Sequence, residues 1–179
     1  MQWTIFSPDG VLFLLRWFHI FFGVIWIGHL YYFNFVQGAF FNETDAATKS
    51  NAIQKLVPRA LWWFRYGALF TLLTGLLIIM IRFHQLGHEG MASSYGVNIL
   101  TGALFGILMA YNVWMVIWPS QQVVIASATQ VAQGNPAIPE AAARGARAMV
   151  ASRTNTLFSI PMLFFMAAAR HLPYNVDET

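Results

Sequence analysis

Residues 17–42 read WFHIFFGVIWIGHLYYFNFVQGAFFN, an unbroken run without Asp, Glu, Lys or Arg. A helix crossing the hydrocarbon core of a bilayer needs about 20 largely apolar residues, and this stretch supplies them. Charge-free windows recur at residues 66–81, 90–139 and 154–169. Together they predict an all-α integral membrane protein. The expected architecture is a four-transmembrane-helix bundle forming one membrane domain over residues 1–179, with spans over about 17–40, 61–81, 98–118 and 152–169. Composition agrees, since 58% of the 179 residues are hydrophobic and 9% charged. Water-soluble domains run at about 45–50% and about 25%. With no cysteine, disulfides, thiolate metal sites, cysteine nucleophiles and c-type haem attachment are excluded. Ten scattered Lys and Arg, for a net charge of +3, do not make a nucleic-acid surface.

Working outward from the first span, Ser7-Pro8-Asp9 is a helix entry, with a capping hydroxyl, Pro at the first helical position and an acid in the first turn. A helix from Pro8 to Phe40 would be about 50 Å long, so it must tilt or project. Arg16 interrupts the apolar run and no small-residue cleavage site follows, so a cleavable signal peptide is not expected. Lys49, Lys55, Arg59, Arg65, Arg144, Arg147 and Arg153 lie toward one side, and Arg16, Arg82 and Arg170 toward the other. The positive-inside rule then puts both termini in the periplasm of a bacterium, with the chain in the inner membrane. Short inner-surface amphipathic helices are expected at Asp45–Val57 and Pro139–Ala151, the latter running into span four, after a turn at Gln133-Gly134-Asn135-Pro136. No internal repeat stands out.

Small residues at four-residue steps, Gly102/Gly106/Ala110 and Gly67/Thr71/Gly75, with Gly23 and Gly28 in span one, are read as helix-packing faces. Asn112, Asn155 and Thr156 are expected to hydrogen-bond between helices, and Pro161 frees a carbonyl near Leu157.

The histidines are more informative. The topology brings His19 (beside Arg16), His84 and His88 (beside Arg82) and His171 (beside Arg170) to one membrane face. Imidazole ligates haem iron, and guanidinium suits the two carboxylates of haem. A bis-histidine haem b is therefore the candidate cofactor, with His19 and His84 as possible iron ligands, His88 and His171 as alternatives for the second, and Arg16, Arg82 and Arg170 on the propionates. The same placement also follows from the tolerance of headgroup level for polar side chains. His84-x-x-x-His88 has metal-pair spacing with Glu89 adjacent, but Gly87 weakens a helix there. His29, about 15 Å deeper than His19, could hold a second cofactor, and a structural polar contact is the preferred reading.

Hydrolase, P-loop, dinucleotide and zincin motifs are missing, and all seven carboxylates sit at span ends, in connections or in tails. Redox work through a bound cofactor remains compatible. At this point the sequence resembles the N-terminal membrane domain of the bacterial urate oxidase family, in which a membrane bundle is normally fused to a C-terminal cytochrome c. The stretches carrying the resemblance are RWFHIFFGVIWIGHLYYF, LWWFRYGALFTLLTGLLI, GALFGILMAYNVWMVIWPSQ and RTNTLFSIPMLFFM followed by HLP. Arg16, His19, Trp26 and Gly28 are the positions that carry over. The resemblance implies electron passage from a small reductant, urate in the fused proteins, toward cytochrome c. No cytochrome c domain follows in these 179 residues, so a separate cytochrome c or a larger membrane complex is the expected partner, besides lipid. The alternative is an accessory structural or pigment-contacting subunit of a respiratory or photosynthetic complex, with no chemistry of its own.

Overall fold

The computed structural model describes residues 4–172 and Tyr174, and these are all-helical, with no strand among them. After a single 3-10 turn (Thr4–Phe6), α1 runs over Pro8–Glu43, α2 over Ala46–Lys55, α3 over Val57–Ala92, α4 over Ser94–Ala132 and α5 over Ala141–His171. Helices α1, α3 and α4 are long and apolar enough to cross a membrane. Helix α5 has 31 residues, about 46 Å, but Arg153, Thr154, Asn155 and Thr156 make its first half more polar.

The local signals act where expected. Ser7 caps α1, accepting from Gly10 N at 3.2 Å, with Pro8 at the first helical position. Asp45 caps α2, accepting from the amides of Ala47 and Thr48 at 2.9 and 3.0 Å and from the Thr48 hydroxyl at 2.6 Å. These bonds, led by the one from the Thr48 hydroxyl, hold the Asp45 carboxyl below the usual aspartate range. The amphipathic segment of residues 45–57 is thus a separate short helix, and Pro139–Ala151 leads into α5 without a break after Ala141. Gly87 breaks the regular path of α3 outright, at φ 65 and ψ −168, a conformation open to glycine.

Helix α1 packs chiefly on α3, and α4 on α5. The glycine steps explain part of this. A Cβ at Gly67 would lie 3.0 Å from Trp26 N and 3.3 Å from Phe22 O, so α1 and α3 meet backbone to backbone there. A Cβ at Gly102 would lie 3.3 Å from Met166 N, the corresponding approach of α4 to α5. Gly28 and Gly106 face open space instead. The two close pairs join over a core that includes Trp26, Leu30, Phe64, Ala68, Met109 and Val113.

Both α1 and α4 contain a π-helical turn, at Tyr32–Gln37 and Asn112–Ile117. An i→i+5 turn deprives a nearby carbonyl of its usual amide, and in an apolar setting that carbonyl needs another donor. Side-chain amides serve carbonyls just before each turn. Asn34 Nδ2 donates to Leu30 O at 2.8 Å and to Ser152 Oγ at 2.8 Å. Asn155, fully buried, donates from Nδ2 to Met109 O at 2.9 Å and accepts from Asn112 Nδ2 at 2.8 Å. The expected interhelical roles of Asn112 and Asn155 are therefore met. Thr156 instead bonds within its own helix, to Ser152 O at 3.1 Å.

Candidate functional site

A cavity of about 320 Å³ lies between the two helix pairs, toward the end of the bundle that holds Arg16 and Arg170. One wall comes from α1 and α3, including His19, Thr71 and Gly75, and the other from α4 and α5, including Ile99, Gly106 and Met166. Its lining is apolar apart from a few groups, in the size range of small-molecule and cofactor sites, about 300–1,000 Å³. The cavity exists partly because two of the glycines read as packing positions, Gly75 and Gly106, put no side chain into it.

His19 is held from behind. Its Nδ1 lies 2.9 Å from Thr71 O and 3.3 Å from Thr74 Oγ1. A carbonyl only accepts, and Thr74 Oγ1 directs its own proton to Phe70 O at 2.6 Å. Nδ1 therefore carries the proton and donates, which leaves Nε2 as a lone-pair acceptor. Gly75 lies directly against the ring, since a Cβ there would come within 2.9 Å of His19 Cε1. A backbone carbonyl on Nδ1 is the outer contact that fixes ring orientation and tautomer in metal-ligating histidines.

Arginines gather at the mouth. Arg16 and Arg170 line it, and Arg16 is within electrostatic reach of Arg82, Arg170, Tyr95 and Asp9. None of the three guanidiniums forms an ion pair among the described residues. Arg82 Nη1 donates to Gln85 Oε1 at 3.0 Å, while its buried Nε has no partner. Trp26, 2% exposed and part of the cavity lining, also has a buried Nε1 without a partner. Positive charge thus converges on an apolar cavity, with Asp9 the one carboxylate among the described residues within electrostatic reach of Arg16.

Of the residues singled out from sequence, Arg16, His19 and Arg170 meet at this cavity, with Arg82 beside them. His84, His88 and His171 are exposed and are not among its lining residues. The break at Gly87 separates His84 from His88, and no group of three or more His, Asp or Glu suited to a metal ion exists among the described residues. His29 turns back on its own helix, with Nδ1 2.7 Å from Ile25 O, so its polar contact is made within α1. The cavity residues missed from sequence are Tyr95 and the pair Met162 and Met166, while Trp26, already carried over from the first-span motif, adds an orphan donor. One signal was available: Arg65-x-x-x-Leu69-Phe70-Thr71 ends 11 residues before Arg82, and Arg153-x-x-x-Leu157-Phe158-Ser159 ends 11 residues before Arg170. That match aligns α3 with α5 and brings Arg82 and Arg170 into correspondence.

Comparison with known proteins gives a family. No curated protein and no solved structure matched the chain. The family model described as urate oxidase N-terminal matches residues 83–179, which takes in the end of α3, all of α4 and α5, and from the cavity Tyr95, Met162, Met166 and Arg170. More than half of the sequence lies within that match, and the chain belongs to the urate oxidase N-terminal family.

Proposed function

We propose that the protein is a membrane redox protein of the bacterial inner membrane that holds haem b in this cavity, with His19 as an axial ligand. Arg16, Arg82 and Arg170 would take the propionates. The observation that carries the reading is the state of His19: Nδ1–H is committed to Thr71 O, which leaves Nε2 as the acceptor of a ring that lines an apolar cavity together with Arg16 and Arg170. Other amphipathic ligands use this set less completely. A fatty acid would engage the arginines and leave the imidazole idle. A quinone carbonyl could take the Trp26 Nε1–H or a guanidinium, and would likewise leave the Nε2 lone pair of His19 unused.

Bound there, haem would supply one-electron chemistry. The chain's own residues do the rest. Thr71 and Gly75 fix the imidazole, the aliphatic walls exclude water, and the arginines offset the charge of two carboxylates in a poorly solvated place. The topology that goes with this reading has four spans, α5 being the fourth, with both termini periplasmic. The uneven distribution of Lys and Arg supports it, with seven toward the α2 side and three toward the cavity mouth. The family description suggests urate or a similar small reductant, and the resemblance drawn from the sequence implies a cytochrome as the electron partner.

The test is a dithionite-reduced minus oxidised spectrum of the detergent-purified protein. Sharp b-type bands that His19→Ala abolishes or shifts are the expected result. A blank spectrum from folded protein would overturn the reading and favour an accessory subunit of a larger membrane complex. Bands unchanged in His19→Ala would remove His19 from the site.

A further inference from the structure

We infer that Met166 is the second axial ligand, opposite His19, so that the iron is bound by one imidazole and one thioether rather than by two histidines. The inference rests on the haem reading and takes it one step further, to a residue that motif and charge patterns did not single out.

The argument begins with what faces His19 across the cavity. On the α4 and α5 wall, the lining side chains with a heteroatom are Tyr95, Met162, Met166 and Arg170. Arginine stays protonated and has no lone pair to give. Tyr95 lies at the mouth, within electrostatic reach of Arg16. The two sulfurs remain. Thioether sulfur with imidazole is an established haem ligand pair.

Depth chooses between them. Helix α1 runs inward from the mouth, and His19 lies three residues, about 4.5 Å, below Arg16. Helix α5 runs outward, and Met166 lies four residues, about 6 Å, below Arg170, whereas Met162 lies eight residues, about 12 Å, below it. His19 and Met166 therefore share a level, and each wall presents an arginine at the mouth with a donor one turn deeper. Met162 is a further turn down and buried in the core.

The Met166 side chain packs on α4 while lining the cavity. It lies over Gly102, where a Cβ would come within 3.3 Å of both its Cγ and its Cε. Methionine has three rotatable side-chain bonds, so its sulfur can swing toward a bound group without moving the helix. The exposed imidazoles of His84, His88 and His171 have no comparable access.

The experiment uses the full chain, purified with its haem, and compares the wild type with Met166→Leu, Met166→His, Met162→Leu and a His84→Ala/His88→Ala/His171→Ala triple variant. Haem stoichiometry, the spin state from the absorption spectrum and the midpoint potential are measured. Met166→Leu should keep its haem but change from six-coordinate low-spin to five-coordinate high-spin and gain reactivity with carbon monoxide. Met166→His should return to low-spin at a lower midpoint potential, because thioether ligation raises the potential relative to bis-imidazole. The triple variant should match the wild type, and Met162→Leu, which alters the same wall, should nonetheless stay six-coordinate low-spin. A low-spin Met166→Leu with unchanged potential would overturn the inference and leave the haem reading intact. Loss of the low-spin state in the triple variant instead would return the second ligand to a histidine. A wild type without haem would end both readings, which keeps the two failures distinguishable.

Discussion

Gly75→Ala separates positioning from stability better than removal of His19, because its two effects have opposite sign. A Cβ at this position would lie 2.9 Å from His19 Cε1 and 3.2 Å from Nδ1, where ordinary contact begins at 3.4 Å. The ring must therefore retreat by about 0.5 Å, the difference between 3.4 and 2.9 Å. That movement acts on the bond from Nδ1–H to Thr71 O, now 2.9 Å long. Outer contacts of this kind are worth about 10–100-fold in metal affinity, or about 1.4–2.8 kcal/mol. Alanine in a helix interior is meanwhile favoured over glycine by roughly 0.5–1 kcal/mol, through the entropy of the unfolded backbone. Gly75→Ala should thus show haem affinity reduced about 10–100-fold, while the haem-free protein melts no lower than wild type. Haem titration followed by absorbance, paired with thermal unfolding of the apoprotein, measures both. Wild-type affinity with an unchanged spectrum would refute the idea that the Thr71–Gly75 turn positions His19. A lower apoprotein Tm would refute it equally, since haem loss would then follow from unfolding.

Three further outcomes test separate parts of the account. Gly106 lines the cavity with nothing within 4 Å of an added Cβ, so Gly106→Leu should fill ligand space, lower haem binding at least tenfold and leave the melt intact, since leucine favours a helix interior by most of about 1 kcal/mol. Full occupancy in that variant, measured as haem per chain, would move the site elsewhere. Asn155→Leu removes bonds to Met109 O and Asn112 Nδ2. At about 0.6 kcal/mol each in a membrane, it should cost about 1 kcal/mol in mixed-micelle unfolding, and no measurable loss would strip the network of its stabilising role. Asp45, held below its ordinary range by Thr48 and Ala47, binds its proton less readily folded than unfolded. Its cap therefore contributes fully above the ordinary aspartate value, and the contribution fades as pH falls through the lowered one. Amide exchange in Ala46–Lys55 should accelerate over that acidic window in the wild type and show no such dependence in Asp45→Asn; identical pH profiles would contradict the cap assignment.

How much of this was legible in the sequence depended on whether a signal is local. Ser7, Asp45 and Gly87 act within a turn of themselves, and each was readable from its neighbours. The long apolar helices were readable because their signal is additive over about 20 residues. The π-helical turns were not, because a widened turn depends on a donor from another helix, such as Asn155 reaching Met109 O. The glycine steps show the limit most clearly. Gly67, Gly75, Gly102 and Gly106 follow one small-residue rule, yet Gly67 and Gly102 bring backbones together, Gly75 makes room for an imidazole and Gly106 leaves a void. Spacing fixes only which face a residue shares, and the partner decides what the missing side chain is for.

The histidines show a second limit of sequence reading. Residue chemistry drew His84, His88 and His171 into the candidate site, whereas they are exposed and do not line the cavity. Met162 and Met166 passed unnoticed because methionine at helical spacing is ordinary core material. What sets Met166 apart is that it lines the same cavity as His19, on a helix more than a hundred residues away, with an arginine three or four residues from each of them. A cavity shared by two walls belongs to the assembled bundle, and neither helix alone encodes it. Within one wall, by contrast, the support for His19 is almost wholly local: Thr71, Thr74 and Gly75 fall within five residues of α3 and together set the tautomer, direction and clearance of the ring. A ligand that needs both walls would then bind poorly to either helix pair alone, and the packing of α1–α3 against α4–α5 would set its affinity as much as any single contact.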